Sequence, residues 1–152
     1  MTQRVDLATV MDRLAIDEVI TGYAVAVDDA DWAGFRALFT SDGRADYTAA
    51  GGIEGTAAEV ADWLAGVLQP FPVRQHLIVN RLLRIQDLGG YPGDRAEVRA
   101  DYLSPLRHES GQDLMCGGRG VFGLQRGDAG WELRTVVVQE KWRHATGLTT
   151  GG

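Results

Sequence analysis

Residues 114–142 read LMCGGRGVFGLQRGDAGWELRTVVVQEKW, in which two apolar-rich segments, Leu114–Arg126 and Trp131–Trp142, flank the loop Gly127-Asp-Ala-Gly130. Glycine and aspartate between two such segments are typical of a β-hairpin turn. Upstream, Arg95–Leu106 alternates in part between apolar and polar residues, and Val73–Asp87 has a long, apolar-rich, extended pattern. The second half of the chain is therefore predicted to form a run of antiparallel strands.

The first third of the chain has a helical pattern instead. Apolar residues recur at helical spacing from Asp6 to Val27, which predicts a long helix. Asp31 is placed to cap a second short helix, Trp32–Phe39, because its side chain can accept a hydrogen bond from a free backbone N–H group. Thr40–Gly43 is predicted to be a turn, and Gly43–Thr48 a short strand.

A third helix is indicated by the capping box Thr56-Ala-Ala-Glu59. It extends to about Leu68, where Pro70 and Pro72 end it. Helices followed by antiparallel strands indicate an α+β fold, with the helices packed on one face of a curved sheet. Because such a sheet bends around the helices, it leaves a pocket between the two layers, and that pocket is the expected binding site.

Length and composition exclude several classes of protein. The 152 residues fit one domain, 1–152, with an ordered core at about 6–143 and a mobile tail at 144–152. The 21 acidic residues outnumber the 15 basic ones, which argues against a nucleic-acid partner. Without a membrane-length apolar run or a secretory signal, a soluble cytoplasmic protein is expected. Cys116 is the only cysteine, which excludes an intrachain disulfide and a cysteine-built zinc site.

Three histidines are candidates for proton transfer near neutral pH. His76 lies among apolar neighbours within a predicted strand, and it is the candidate general base. A core histidine satisfied by one hydrogen bond is an equal alternative at this position. His108 is predicted to lie in a loop, and His144 at the surface near the tail.

Asp28 follows the apolar stripe of the first helix. Turned inward, it would orient a histidine and stabilise the protonated ring. Alternatively, Asp28, Asp29 and Asp31 form only a helix-end turn and a cap. Tyr23 precedes Asp28 by five residues, a net rotation of about 140°, so the two share a cavity only if the helix ends or bends near Val27.

Other chemistry-bearing residues are few. Tyr23 and Tyr47 each carry a phenol that can donate a hydrogen bond to a carbonyl oxygen, or that serves only as an amphipathic wall. Cys116 is interpreted as a small apolar strand residue, since no basic neighbour in the sequence lowers its pKa. The sequence has no phosphate-binding glycine loop, no serine nucleophile elbow and no calcium loop.

Three segments carry a family resemblance: ITGYAVAVD at 20–28, DWAGFRALFTSD at 31–42 and RQHLIVN at 74–80. With them, the chain over about 6–143 resembles the SnoaL-like branch of the nuclear transport factor 2-like superfamily. That superfamily folds as an α+β cone, and the branch includes polyketide cyclases, scytalone dehydratase and bile-acid dehydratases. The resemblance implies a cone-shaped antiparallel sheet wrapped around N-terminal helices and enclosing one pocket.

The resemblance also implies functional residues. By position, the catalytic tyrosines, aspartate and histidine of the dehydratases look like Tyr23, Tyr47, Asp28 and His76. The family often adds a second histidine or an acid on the next strand, for which Asp101 is the nearest candidate. Asn80 would lie two pleats from His76 on the same strand face. The candidate substrate-contacting residues are Asn80, Asp101, Arg99, Trp63 and Phe39.

The candidate residues and the family resemblance together leave three possible functions. The first is a cofactor-independent, metal-free dehydratase acting on a small cyclic hydroxy-carbonyl compound of polyketide, steroid or aromatic type. The second is a polyketide cyclase or ketosteroid-type isomerase using the same Asp–His pair. The third is a non-catalytic protein that binds a small ligand. The resemblance further implies a homodimer or homotrimer assembled through the outer sheet face. From the charge balance and the absence of a long apolar run, no nucleic-acid or membrane partner is expected.

Overall fold

The computed structural model describes residues 7–146. In that part of the chain there are three α-helices, one 3₁₀ turn at Thr48–Ala50 and seven strands. The helices are α1 (Leu7–Asp28), α2 (Trp32–Ala37) and α3 (Ala57–Leu68). The strands are β1 (Phe39–Asp46), β2 (Glu54–Thr56), β3 (Val73–Arg74), β4 (Leu77–Asp87), β5 (Pro92–Arg107), β6 (Asp113–Gly127) and β7 (Gly130–Thr146).

The strands form one mixed, strongly curled sheet in the order β2-β1-β7-β6-β5-β3, and β4 also pairs with β5. β1 runs parallel to β7, whereas the other neighbours are antiparallel. The predicted hairpin is present, with Gly127 paired to Gly130. The predicted α+β fold, a curved sheet wrapped around N-terminal helices, is thereby confirmed, but the sheet is not antiparallel throughout as expected, because β1 pairs in parallel with β7.

The core lies between the helices and the concave face of the sheet. α1 contributes Ile16, Ile20, Tyr23 and Val27, whose spacing of four, three and four residues forms one buried stripe. Leu14, which the apolar pattern also included, is 58% exposed. The largest fully buried apolar side chains are Phe35, Ile16, Ile20, Leu124, Leu133, Val27, Val60, Val98 and Val136.

The boundary between α2 and β1 differs from the sequence prediction. Asp31 caps α2 as expected, accepting a hydrogen bond from the Gly34 backbone N–H at 2.9 Å. However, α2 ends at Ala37, and the predicted turn Thr40–Gly43 lies inside β1. The turn-forming residues are absorbed because β1 pairs with β7, and the irregular register between Phe39 and Arg44 accommodates them.

The tail prediction is only partly testable. His144 is exposed, as expected, but residues 144–146 belong to β7 and pair with β6. Residues 147–152, and the expected helix start at Asp6, lie outside the described residues.

The capping box of α3 is formed as predicted. The Thr56 hydroxyl accepts from the Glu59 backbone N–H at 3.2 Å, and the Glu59 carboxylate accepts from the Thr56 N–H at 3.1 Å. Both contacts satisfy N–H groups that have no partner inside the helix. α3 is thus anchored at the end that leads out of β2.

Replacing Thr56 by Ala is expected to lower the free energy of unfolding by about 1 kcal/mol, because the side-chain acceptor at the helix start is lost. The melting temperature would then fall by roughly 2–4 °C. Thr56→Ser keeps the hydroxyl and serves as the control in the same thermal melt. Equal melting temperatures for Thr56→Ala and Thr56→Ser would contradict a stabilising cap.

Candidate active site

A largely apolar cavity of about 130 Å³ lies between the concave sheet face and helices α1 and α3. Four residues singled out from the sequence line it: Tyr23, Tyr47, Trp63 and His76. A cavity of roughly 150 Å³ in a protein core can hold one benzene ring. The site is therefore sized for a ligand of one ring, or for two rings with part of the second in the mouth.

Asp28 and His76 form a hydrogen-bonded pair at this cavity. The Asp28 Oδ1 to His76 Nδ1 distance is 2.6 Å, and the other carboxylate oxygen accepts from the His76 backbone N–H at 2.9 Å. Each side chain is 20% exposed. Because an ionised carboxylate only accepts, Nδ1 carries a proton and the lone pair of the neutral ring lies on Nε2.

The pair depends on a break in the sheet that the sequence pattern did not predict. Val73–Asp87 was predicted as one strand, but β3 ends at Arg74, β4 begins at Leu77, and His76 lies between them. Its backbone N–H bonds to Asp28 rather than to a neighbouring strand. One carboxylate therefore holds both the backbone and the ring of His76.

Arg74 joins the helix ends beside this pair. Its Nε donates to the Asp28 carbonyl oxygen and its Nη1 to the Leu68 carbonyl oxygen, each at 3.1 Å. These carbonyls belong to the last residues of α1 and α3, where a cation is favourable. α1 ends at Asp28, so the condition that lets Tyr23 and Asp28 reach one cavity is met.

Ser104 is a site residue that the sequence reasoning missed. It lies on β5, is 2% exposed, and places its Oγ 3.3 Å from His76 Nε2. The alternation of residues along β5 could have indicated Ser104, since Ala100 and Tyr102 on the same strand face line the same cavity. A buried hydroxyl thus faces the basic nitrogen of the pair.

The two tyrosines are held by aromatic packing. The Tyr23 ring packs edge-on against Phe122, with centroids 5.3 Å apart, and the Tyr47 ring lies 5.5 Å from that of Trp63. Burial raises the pKa of Tyr23 far above its usual value. The Tyr23 phenol therefore stays protonated and can only act as a neutral hydrogen-bond donor or acceptor.

Three predicted substrate contacts lie away from the cavity, on the other face of the sheet. Asp101 pairs with Arg119 at 3.2 Å, and Asn80 Nδ2 donates to Asp101 at 3.3 Å. These two hydrogen bonds lower the pKa of Asp101. Arg99 is exposed and pairs with Glu97 at 2.9 Å. Asp101 therefore does not supply an acid to this cavity.

The register explains the misplacement of Asn80. A register shift falls between Val79 and Leu82 on β4, and Asn80 adopts a positive φ of 50°. Since His76 also lies outside the strand, the two do not share a strand face. Phe39 is likewise not a cavity residue: it is 5% exposed and packs in the core, 5.1 Å from the Phe35 ring.

A second polar group lines the cavity on β7. Glu140 and Arg143 form an ion pair with two hydrogen bonds, of 2.9 and 3.2 Å. Cys116 and Tyr102 line the same region. Burial, with a contribution from the nearby Glu140 charge, raises the pKa of the Cys116 thiol, which agrees with its interpretation as an unreactive strand residue.

The other two histidines lie outside the cavity lining. His108 is in a loop, where its Nδ1 lies 2.8 Å from Ser110 Oγ and its ring is edge-on to Phe71. Within residues 7–146, no cluster of three or more His, Cys, Asp or Glu side chains is arranged to hold a metal ion. No helix in that range has the length and apolar character needed to cross a membrane.

Residues 8–137 match the SnoaL-like domain family. The chain belongs to this family, within the nuclear transport factor 2-like superfamily, as the sequence resemblance indicated. It is 33% identical over 113 residues to uncharacterized proteins Rv2910c of Mycobacterium tuberculosis and Mb2934c of Mycobacterium bovis. Each alignment covers 73% of this chain and 73% of the relative.

Solved structures share the fold. A Novosphingobium aromaticivorans protein, provisionally named an aromatic ring hydroxylase, is 25% identical with a TM-score of 0.78, covering 90% of this chain and 94% of that one. A provisionally named scytalone dehydratase from the same organism is 18% identical, with a TM-score of 0.74 and coverages of 90% and 88%. The LinA-type3 hexachlorocyclohexane dehydrochlorinase of Novosphingobium barchaimii is 18% identical, with a TM-score of 0.75 and coverages of 92% and 93%.

Proposed function

We propose that this protein is a cofactor-independent lyase that removes water from a small cyclic hydroxy-carbonyl compound. The observation that carries the proposal is the Asp28–His76 pair beside an apolar cavity, in which the carboxylate engages Nδ1 and leaves Nε2 on the other side of the ring. A histidine oriented by a carboxylate is suited to removing a proton from the carbon next to a carbonyl. The dehydratase and dehydrochlorinase names among the structural neighbours agree with elimination chemistry on this scaffold.

The reaction proceeds in two steps. His76 Nε2 takes the α-proton, and the C–H electron pair becomes an enolate whose oxygen accepts hydrogen bonds from Tyr23 and Tyr47, directly or through water. The imidazolium then returns the proton to the β-hydroxyl as the C–O bond breaks, which releases water and forms the double bond. Asp28 stabilises the transient imidazolium without itself being protonated.

The apolar walls strengthen these electrostatic interactions. Trp63, Phe122 and Val138 are among the apolar residues that line the cavity with His76. Charges interact more strongly where the effective dielectric constant is low. The enolate is therefore stabilised mainly by the few hydrogen-bond donors that face it.

Ser104 is assigned a positioning role. Before substrate binds, its hydroxyl can donate to Nε2 and so orient the ring, and it gives up this contact when the single lone pair of Nε2 takes the α-proton.

For Ser104→Ala we expect the turnover rate to fall by about tenfold, the equivalent of one ordinary hydrogen bond. The ¹⁵N chemical shift of Nε2 would change as well, because the nitrogen loses its neighbour. Ser104→Thr keeps the hydroxyl and is the matched control. An Ala variant with wild-type turnover and an unshifted nitrogen signal would contradict the assignment.

The proposed function is tested with two ring ketones. In D₂O, the protein is expected to catalyse hydrogen–deuterium exchange at C2 of 1-tetralone, followed by NMR. It is also expected to convert 3-hydroxy-1-tetralone to 1-naphthol with loss of one water, followed by fluorescence and mass spectrometry. Proton exchange without loss of water would contradict a dehydratase and indicate an isomerase or cyclase. Binding of the ketones without either reaction would indicate a non-catalytic ligand-binding protein.

A further inference from the structure

The Glu140–Arg143 pair lies at the opposite side of the cavity from His76. Ser104 on β5 is paired with Cys116 on β6, and Cys116 with Arg143 on β7. Neighbouring strands lie about 4.8 Å apart, so Ser104 and Arg143 are separated by roughly 10 Å of sheet. One six-membered ring with a substituent spans most of that separation.

A bulge turns Arg143 toward the cavity. Val138 and Glu140 line the cavity two residues apart, as a regular strand requires. Between Glu140 and Arg143, the pairing of β7 with β6 shifts by one residue. Gly118 pairs with Glu140, whereas Gly117 pairs with Trp142. The extra residue reverses the alternation, so Arg143 lines the cavity and Trp142 lies 43% exposed.

Glycines make this bulge possible. A Cβ at Gly118 would collide with the Gln139 carbonyl oxygen, and a Cβ at Gly117 would meet the Trp142 ring at 2.6 Å. The close approach of the two backbones thus requires glycine at 118, while the Trp142 ring fills the space that a side chain at 117 would occupy.

The ion pair is held at its Arg143 end by the 3₁₀ turn. The Glu140 side chain is 13% exposed, while Arg143 is 52% exposed and also donates to the Ala50 carbonyl oxygen at 3.4 Å. Arg143 therefore lies at the mouth, between β7 and the 3₁₀ turn. The paired groups present N–H donors next to carboxylate acceptors, with no net charge.

From this geometry we infer that Glu140 and Arg143 bind a hydroxyl group on the substrate ring, remote from the reacting carbonyl. A hydroxyl accepts from Arg143 and donates to Glu140, so it matches both partners. A carboxylate has no hydrogen to donate to Glu140, so it matches only Arg143 and places its own charge beside that of Glu140. The inference rests on the proposed function, and it specifies the substrate as a ring ketone carrying a second, distal hydroxyl.

The test compares ligand dissociation constants, which do not depend on turnover. Calorimetric titrations use 6-hydroxy-1-tetralone, 1-tetralone and 1-oxotetralin-6-carboxylate. Wild-type protein is expected to bind the hydroxylated ketone about 10–100-fold more tightly than 1-tetralone, as for a hydrogen bond to charged groups. Glu140→Gln and Arg143→Met are each expected to lower this ratio by tenfold or more.

Arg107→Met is the matched control, because Arg107 makes a similar ion pair with Asp113, at 2.7 Å, outside the cavity lining. It should retain the wild-type ratio. Equal binding of the hydroxylated and plain ketones by wild-type protein, or tighter binding of the carboxylate, would overturn the inference. A hydroxyl preference without C2 exchange of either ketone would support this subsite while overturning the proposed lyase.

Discussion

Replacing His76 by Gln is expected to slow proton exchange at C2 of 1-tetralone by a factor on the order of 10²–10⁴, the usual contribution of a general base. Glutamine keeps a polar side chain of similar reach but has no nitrogen that accepts a proton at neutral pH. Asp28→Asn is expected to lower the rate over a similar range. Its amide no longer compensates the imidazolium charge or specifies the ring tautomer.

His108→Gln is the control that shows whether replacing a histidine outside the cavity also slows the exchange. His108 lies outside the cavity lining, so its variant should exchange the ketone proton at the wild-type rate. Circular dichroism checks that each variant is folded. If folded His76→Gln and Asp28→Asn proteins both exchanged the proton at the wild-type rate, the Asp28–His76 pair would not be the catalytic base.

The second large effect is expected on stability. Asp12 is 8% exposed, and its carboxylate accepts from Arg126 at 2.7 and 2.8 Å and from Trp131 Nε1 at 3.1 Å. Asp12→Ala leaves a buried indole N–H and a partly buried guanidinium without this acceptor. We expect the free energy of unfolding in urea to fall by about 2–4 kcal/mol, below the full cost for a deeply buried pair because Arg126 keeps Asp94.

The Asp12 effect should also depend on pH. The hydrogen bonds from Arg126 are the main cause of a lowered pKa for Asp12 in the folded protein. A carboxyl whose pKa is lowered by folding stabilises the protein above its unfolded pKa, and this stabilisation is lost as the pH falls through the folded pKa. The difference in unfolding free energy between wild type and Asp12→Asn is therefore expected to shrink on going from pH 7 toward pH 3.

A difference between wild type and Asp12→Asn that stays constant over that pH range would contradict the ionic character of the contact. Asp17→Asn is a useful reference, because Asp17 lies on α1 like Asp12 and pairs with Arg81 of β4, but its side chain is 60% exposed. An exposed ion pair contributes about 0–1 kcal/mol, so this variant should change stability little.

Much of the fold could be predicted from local sequence patterns. The buried stripe of α1, the Asp31 cap, the Thr56–Glu59 capping box and the glycine-flanked hairpin each depend on residues within a few positions of one another. Short-range hydrogen bonds and side-chain spacing decide such features, and they agree with the structure. The order of helices followed by strands then restricted the architecture to an α+β sheet with helices on one face.

The candidate site could be predicted only in part from the sequence. The chemistry of Asp28, His76 and the two tyrosines was visible as residue type; the structure brings His76 and both tyrosines to one cavity, with Asp28 hydrogen-bonded to His76. Asn80 and Asp101 were wrongly predicted to face the cavity, because the prediction of which sheet face each residue lies on assumed an unbroken strand. Ser104, Glu140 and Arg143 escaped notice because their relevance depends on which strands become neighbours.

The amino-acid sequence by itself determined the helices, their caps, the hairpin and the stock of groups able to move a proton. Only the tertiary structure decided which of those groups meet. The break that frees the His76 backbone is made by Asp28, 48 residues earlier in the chain, and the bulge that turns Arg143 inward arises from pairing with Gly117 and Gly118. A register shift of one residue moves a side chain to the other face of a sheet, and that shift is set by a distant partner strand.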